Sequence, residues 1–163
     1  MEDITSAIQT SLLTLLRELI NGPSQRAAFV LNRGDRGLLA SLDLLSAADA
    51  SARAPGRASI AAHVDHLRYG LELLNRWARG EDPWHDANFA ASWRRLDVDG
   101  AQWAALRQAL AGEASAWTAA CRDRREWNEF SITEAFASAV HMAYHLGAIR
   151  QMSREASGPP AND

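Results

Sequence analysis

The chain has 163 residues, 47% apolar and 23% charged, with a net charge of −3 and a pI near 5.9. That is long enough for one proper core and ordinary for a globular protein. The acidic balance and the lack of any basic tract exclude nucleic acid as a main partner. One cysteine, Cys121, permits no internal disulfide and points to a reducing compartment. The opening "MEDITSAIQT" has no basic segment of the secretory type, and no apolar run approaches the roughly 20 residues of a membrane span. The chain therefore reads as cytoplasmic, with residues 1–155 as a single domain and 156–163 as a flexible tail.

Alanine is abundant and β-branched residues are few, so helix is favoured throughout and the fold class is all-α. The first long helix is expected from Ile4 to Asn21, with Asp3 as N-cap and Gly22-Pro23 as its stop. Ile4, Ile8, Leu12, Leu15 and Leu19 form its apolar stripe. The connection 22–58 is too long to be bare and carries a short helix within "GLLASLDLLSAADA". A second long helix starts after Ser59 and ends near Gly80, with Ile60, Val64, Leu67, Leu71 and Leu74 inward. "GEDPWHDAN" breaks the chain, and "FAASWRRL" supplies a helical turn. The third long helix spans Asp99 to Cys121 on an inner face of Trp103, Leu106, Leu110 and Trp117. After the charged loop "RDRREWNEF", the fourth opens at Ser131 and runs to about Arg154. Four such helices in one domain imply a four-helix bundle.

The fourth helix is apolar nearly all round, except for a stripe of Glu134, Ser138, His141 and His145 at i, i+4, i+7 and i+11. Polar groups on a buried helix must be hydrogen-bonded, solvated or bound to something. His141 and His145 are one turn apart, so both imidazoles can approach a single cation. A third ligand could come from "SIAAHVDHLRYGLELL". There His63 lies near the middle of the apolar arc and His66 towards its edge, and the wheel permits either. His85 reads as a loop histidine on the surface. In "SITE" (131–134), Ser131 and Glu134 match a capping box, so Glu134 is read as a cap residue rather than a catalytic base. Trp77 is a candidate wall for the pocket, Cys121 a structural thiol, and Arg150 a last-turn cation favouring the helix dipole.

The length, the helix order, the "S-I-x-x-x-x-x-H-L" opening of the second long helix and the late "H-x-x-x-H-L-G-x-I" together resemble the DinB-like (DinB/YfiT) superfamily of helical-bundle metalloproteins. The resemblance runs over almost the whole chain and implies an up-down-down-up bundle. In that family a histidine directly before a leucine joins two from the fourth helix, which selects His66, His141 and His145 as metal ligands. It further implies a divalent ion, zinc or nickel, and in some members a low-molecular-weight thiol cosubstrate and a dimer. Three imidazoles leave a tetrahedral ion one open position, for a water of lowered pKa or a thiolate. The expected function is thus a metal-dependent transferase, isomerase or hydrolase acting on a small-molecule substrate, as a homodimer. The alternative is a metal- or small-ligand-binding bundle without turnover.

Overall fold

The computed structural model describes residues 4–160, which form seven α-helices and no strand. Four are long: α1 (Ile4–Asn21), α4 (Ile60–Ala78), α6 (Gly100–Asp123) and α7 (Glu129–Met152). The short ones are α2 (Gly37–Leu42), α3 (Ala47–Ser51) and α5 (Phe89–Ser92). The first half of the chain thus holds two short helices in its long connection where the sequence suggested one. Asp3, the expected cap of α1, lies outside the described residues.

Local signals fix most of the boundaries. Ser59 accepts from the Ala62 amide to start α4. Asp99 and Gln102 form a reciprocal capping box at α6. Helix α1 ends where Gly22 takes φ +90°, a conformation that favours glycine. A Cβ on Gly22 would collide with the Asp35 carbonyl, so the α1 terminus and the start of α2 can meet only through glycine. The start of α7 departs from the expectation. Its N-cap is Asn128, whose side chain accepts from the Ser131 amide at 2.9 Å, while Ser131 Oγ accepts from the Asn128 amide at 2.9 Å. The chain offers two caps three residues apart, and the earlier one is used. Phe130, now helical, sets its ring edgewise against Trp77 at 5.5 Å. Ser131 is therefore the third helical residue, and Glu134 has no capping duty.

Helix packing follows the pairs α1–α6, α6–α4, α4–α7 and α7–α1. The core includes Leu12, Leu16 and Leu19 of α1, the whole expected stripe of α4, and Trp103, Leu106, Leu110 and Trp117 of α6. On α1 the inward stripe runs through Leu16 rather than Leu15, and Ile4 is exposed. Side chains tie the helices at specific levels. Gln9 donates to the carbonyls of Cys121 (2.8 Å) and Arg122 (2.9 Å). Asn75 donates to the Glu113 carbonyl at 3.0 Å. The Trp117 indole donates to Ser138 Oγ at 2.8 Å.

The long connection after α1 is held by buried carboxylates. Glu18 accepts from the amides of Phe29, Val30 and Leu31, at 2.7–3.0 Å. Asp35 accepts from the Gly37 amide at 2.8 Å and from Arg150 at 2.7 Å. Arg150, expected only to favour the helix dipole, is one half of a buried ion pair, since its side chain is 17% exposed and that of Asp35 1%. Residues beyond α7 pack on this pair: Ala156 is fully buried, Gly158 lies against the Asp35 carboxylate, and Asn32 donates to the Pro159 carbonyl at 2.9 Å. Residues 161–163 lie outside the described residues.

Candidate metal centre

Helix α4 carries His63 and His66 one turn apart, and α7 carries His141 and His145 one turn apart. Where the two helices pack, all four rings meet. One nitrogen each of His66, His141 and His145 lies within 4.8 Å of the others. His145 is 1% exposed, His66 9%, and His141 half-buried. His145 Nε2 is 2.9 Å from His141 Nε2. Nitrogens about 2.0–2.1 Å from a tetrahedral ion are roughly 3.3 Å apart, so small ring movements bring these three to a common centre.

The second nitrogen of each buried ring is engaged by the protein. Ser92 Oγ donates to the Phe89 carbonyl at 2.7 Å. Its proton is spent there, so it accepts from Nδ1–H of His66 at 2.8 Å. This assigns the proton of His66 to Nδ1 and leaves Nε2 with a lone pair. His63 Nδ1 lies 2.8 Å from His145 Nδ1, on the ring edge away from the Nε2 contact. A proton between those two Nδ1 atoms, held by His145, frees His145 Nε2 in the same way. Partners of this kind orient a ligating imidazole and raise its basicity. His63, the other candidate that the wheel permits, thus stands behind His145 rather than in the three-nitrogen group.

Segment 89–95 is what encloses the centre. Trp93 stacks on His66, with ring centroids 4.3 Å apart and 24° between planes, and meets His63 edgewise at 5.1 Å. Besides the Ser92–His66 bond, polar contacts fasten this segment and the residue before it to α4. Buried Asp65 holds Arg95 at 3.0 Å and Arg68 at 2.9 Å, and Tyr69 Oη accepts from the Asn88 amide at 2.8 Å. Ser92 and Trp93 were not among the residues singled out in the sequence. Their only local signal is a short helical turn in a break too long to be empty.

Electrostatics keep these imidazoles neutral. Burial, then the neighbouring His141, His63 and His66, push His145 down to about 3. Burial, His141 and His63 bring His66 down to about 4, against an opposing pull from Asp65. Burial also lowers His63 and His141. At neutral pH the cluster offers lone pairs instead of positive charge, which is what a divalent cation requires of imidazole. Three neutral nitrogens, two with their far edges held, fit such an ion.

The other sequence candidates separate clearly. A cavity of about 180 Å³ opens beside His141, lined by Leu67, Leu71, Trp84, Phe89 and Glu134 among others. Glu134 lies on it, about two helical turns from His141. Ser138 donates to the Ala135 carbonyl at 2.6 Å and accepts from Trp117, so it serves packing. Trp77 walls no part of this cavity; it lies against Trp117 and Phe130, with Arg124 over its ring at 4.7 Å. His85 is exposed, as expected of a loop. Cys121 is buried, and burial pushes its thiol up to about 12, which suits an inert core residue. No helix is long and apolar enough to cross a membrane among the described residues.

Comparison with known proteins agrees with this geometry. A family model described as the DinB superfamily matches residues 31–148, from the long connection through both late histidines. Neither the curated proteins nor the solved structures yield a match.

Proposed function

Because the chain belongs to the DinB superfamily, we propose that it is a metal-dependent enzyme whose ion is held by His66, His141 and His145. The observation that carries this reading is the convergence of three neutral imidazole nitrogens from two helices within 4.8 Å. The contacts between α1 and α6, α6 and α4, and α4 and α7 support an up-down-down-up four-helix bundle as its frame.

A zinc or nickel ion there would supply Lewis-acid activation of a water or of a low-molecular-weight thiol. The chain's own residues prepare that chemistry. Ser92 and His63 hold two rings with their lone pairs free for the ion. Trp93 covers His66 and keeps water from that side. His141, the most open of the three, faces the cavity through which a small substrate would reach the centre. Transfer to, isomerisation of, or hydrolysis of a small molecule in a cytoplasmic homodimer is the activity this arrangement suits best.

The test is elemental. Purified protein should carry one equivalent of a divalent ion, and anomalous scattering across the zinc and nickel edges should place it between the three rings. His66→Ala, His141→Ala and His145→Ala should each lose it. Protein that folds normally yet holds no ion after incubation with zinc or nickel refutes the reading. Turnover with a panel of low-molecular-weight thiols then tests the transferase form.

A further inference from the structure

The cavity beside His141 has a composition that specifies its occupant. Its volume is about 180 Å³. An engineered apolar cavity of about 150 Å³ holds one benzene ring, so the space suits a single ring or a short branched chain. Leu67, Leu71, Leu74 and Met142 form the apolar floor, and Trp84 and Phe89 stand at the rim, 38% and 43% exposed. Among the described residues that line it Glu134 is the only acidic one, and there is no arginine.

Glu134 is half-buried and has no hydrogen bond or ion pair among the described residues. The polar groups near it are already committed, with Ser138 bonded to Ala135 and Trp117. Asn128 and Ser131 cap the helix without it. A carboxylate on an apolar wall, with aromatic faces nearby and no cation of its own, is complementary to a ligand that brings the positive charge. Its place on α7, seven residues before His141, sets the carboxylate roughly 10 Å along the axis from the histidine cluster.

We propose that this cavity binds a small cationic molecule, an apolar or aromatic body bearing an ammonium, amidinium or guanidinium group that pairs with Glu134. The location of the reacting end rests on the metal-centre reading. The charged head lies at Glu134, and the opposite end, under about 10 Å away, points to His141. Glu134 is on this account a specificity residue and not a base for the reaction.

Benzamidine, benzamide and benzoate have the same size and shape and carry positive, zero and negative charge. Their binding is measured by protein NMR, on the full chain both with and without bound zinc. Benzamidine should bind about ten-fold more tightly than benzamide, the gain expected from a charged hydrogen bond, and benzoate most weakly in the metal-free protein. Glu134→Gln should bring benzamidine and benzamide together while leaving benzamide affinity unchanged. Ala137→Leu, at an exposed helical position lining the same cavity, should weaken both. Equal affinities for benzamidine and benzamide in the unaltered protein, or a benzamidine preference that survives Glu134→Gln, overturns the proposal. Because the preference is read without metal, a failure here is separate from a failure of the metal centre, which is read by ion content.

Discussion

Ser92→Ala isolates the support behind one of the three proposed ligands, His66. In the folded protein the Ser92 hydroxyl links the Phe89 carbonyl to Nδ1–H of His66, through contacts of 2.7 and 2.8 Å. Alanine leaves that N–H facing a methyl group at a site where His66 is 9% exposed and its ring is covered by Trp93. An unsatisfied buried donor costs about 1–3 kcal/mol. Loss of a partner behind a metal-ligating histidine typically lowers metal affinity by about 10–100-fold. At about 1.4 kcal/mol per decade this is roughly 1.4–2.8 kcal/mol, so the two routes give the same size of effect. Zinc affinity is measured by competition with a chromophoric chelator, and metal-free stability by urea unfolding. The expected result is a ten-fold or larger rise in the zinc Kd for Ser92→Ala, with Ser92→Thr close to the unaltered protein. A zinc Kd within two-fold for Ser92→Ala would show that His66 is not a ligand, or that its Nδ1 bond does nothing for it.

Three further outcomes follow from other contacts. His63→Ala should weaken zinc binding by about 10–100-fold but not abolish it, because His63 supports His145 without joining the three-nitrogen group; complete loss, with His66→Ala still binding, would reverse the ligand assignment. Arg150→Met leaves the buried Asp35 carboxylate without its cation and should cost about 3–5 kcal/mol in urea unfolding. The double variant Arg150→Met/Asp35→Asn should recover much of that loss, and equal stabilities of single and double variants would deny the pairing. Cys121, with its pKa raised by burial from 9.0 to about 12, should resist a thiol reagent at pH 8 until the protein unfolds. The unfolded thiol gives up its proton first as pH rises. Stability should therefore fall above pH 9 more steeply than in Cys121→Ala, by up to about 1.4 kcal/mol per pH unit. Parallel pH profiles for the two proteins would contradict this.

The sequence alone determined the helices and the pair on α7. Caps, glycine stops and the 3.6-residue period are properties of neighbouring residues, so α1, α4 and α6 begin and end within two residues of where the pattern puts them. Their inward faces followed as well, apart from the shift to Leu16 on α1. His141 and His145 were legible for the same reason, since an i, i+4 spacing is local geometry. The tertiary structure decided whatever depends on which side of a helix meets which neighbour. His63 and His66 are about 60° apart on the wheel, too little for the wheel to choose between them. Packing against α7, with Ser92 and Trp93 laid over one ring, gives each its place. Glu134 was misread because Asn128 and Ser131 are both good caps. Local chemistry accepts either, and the choice of Asn128, with Phe130 then seated on Trp77, released the glutamate to the cavity.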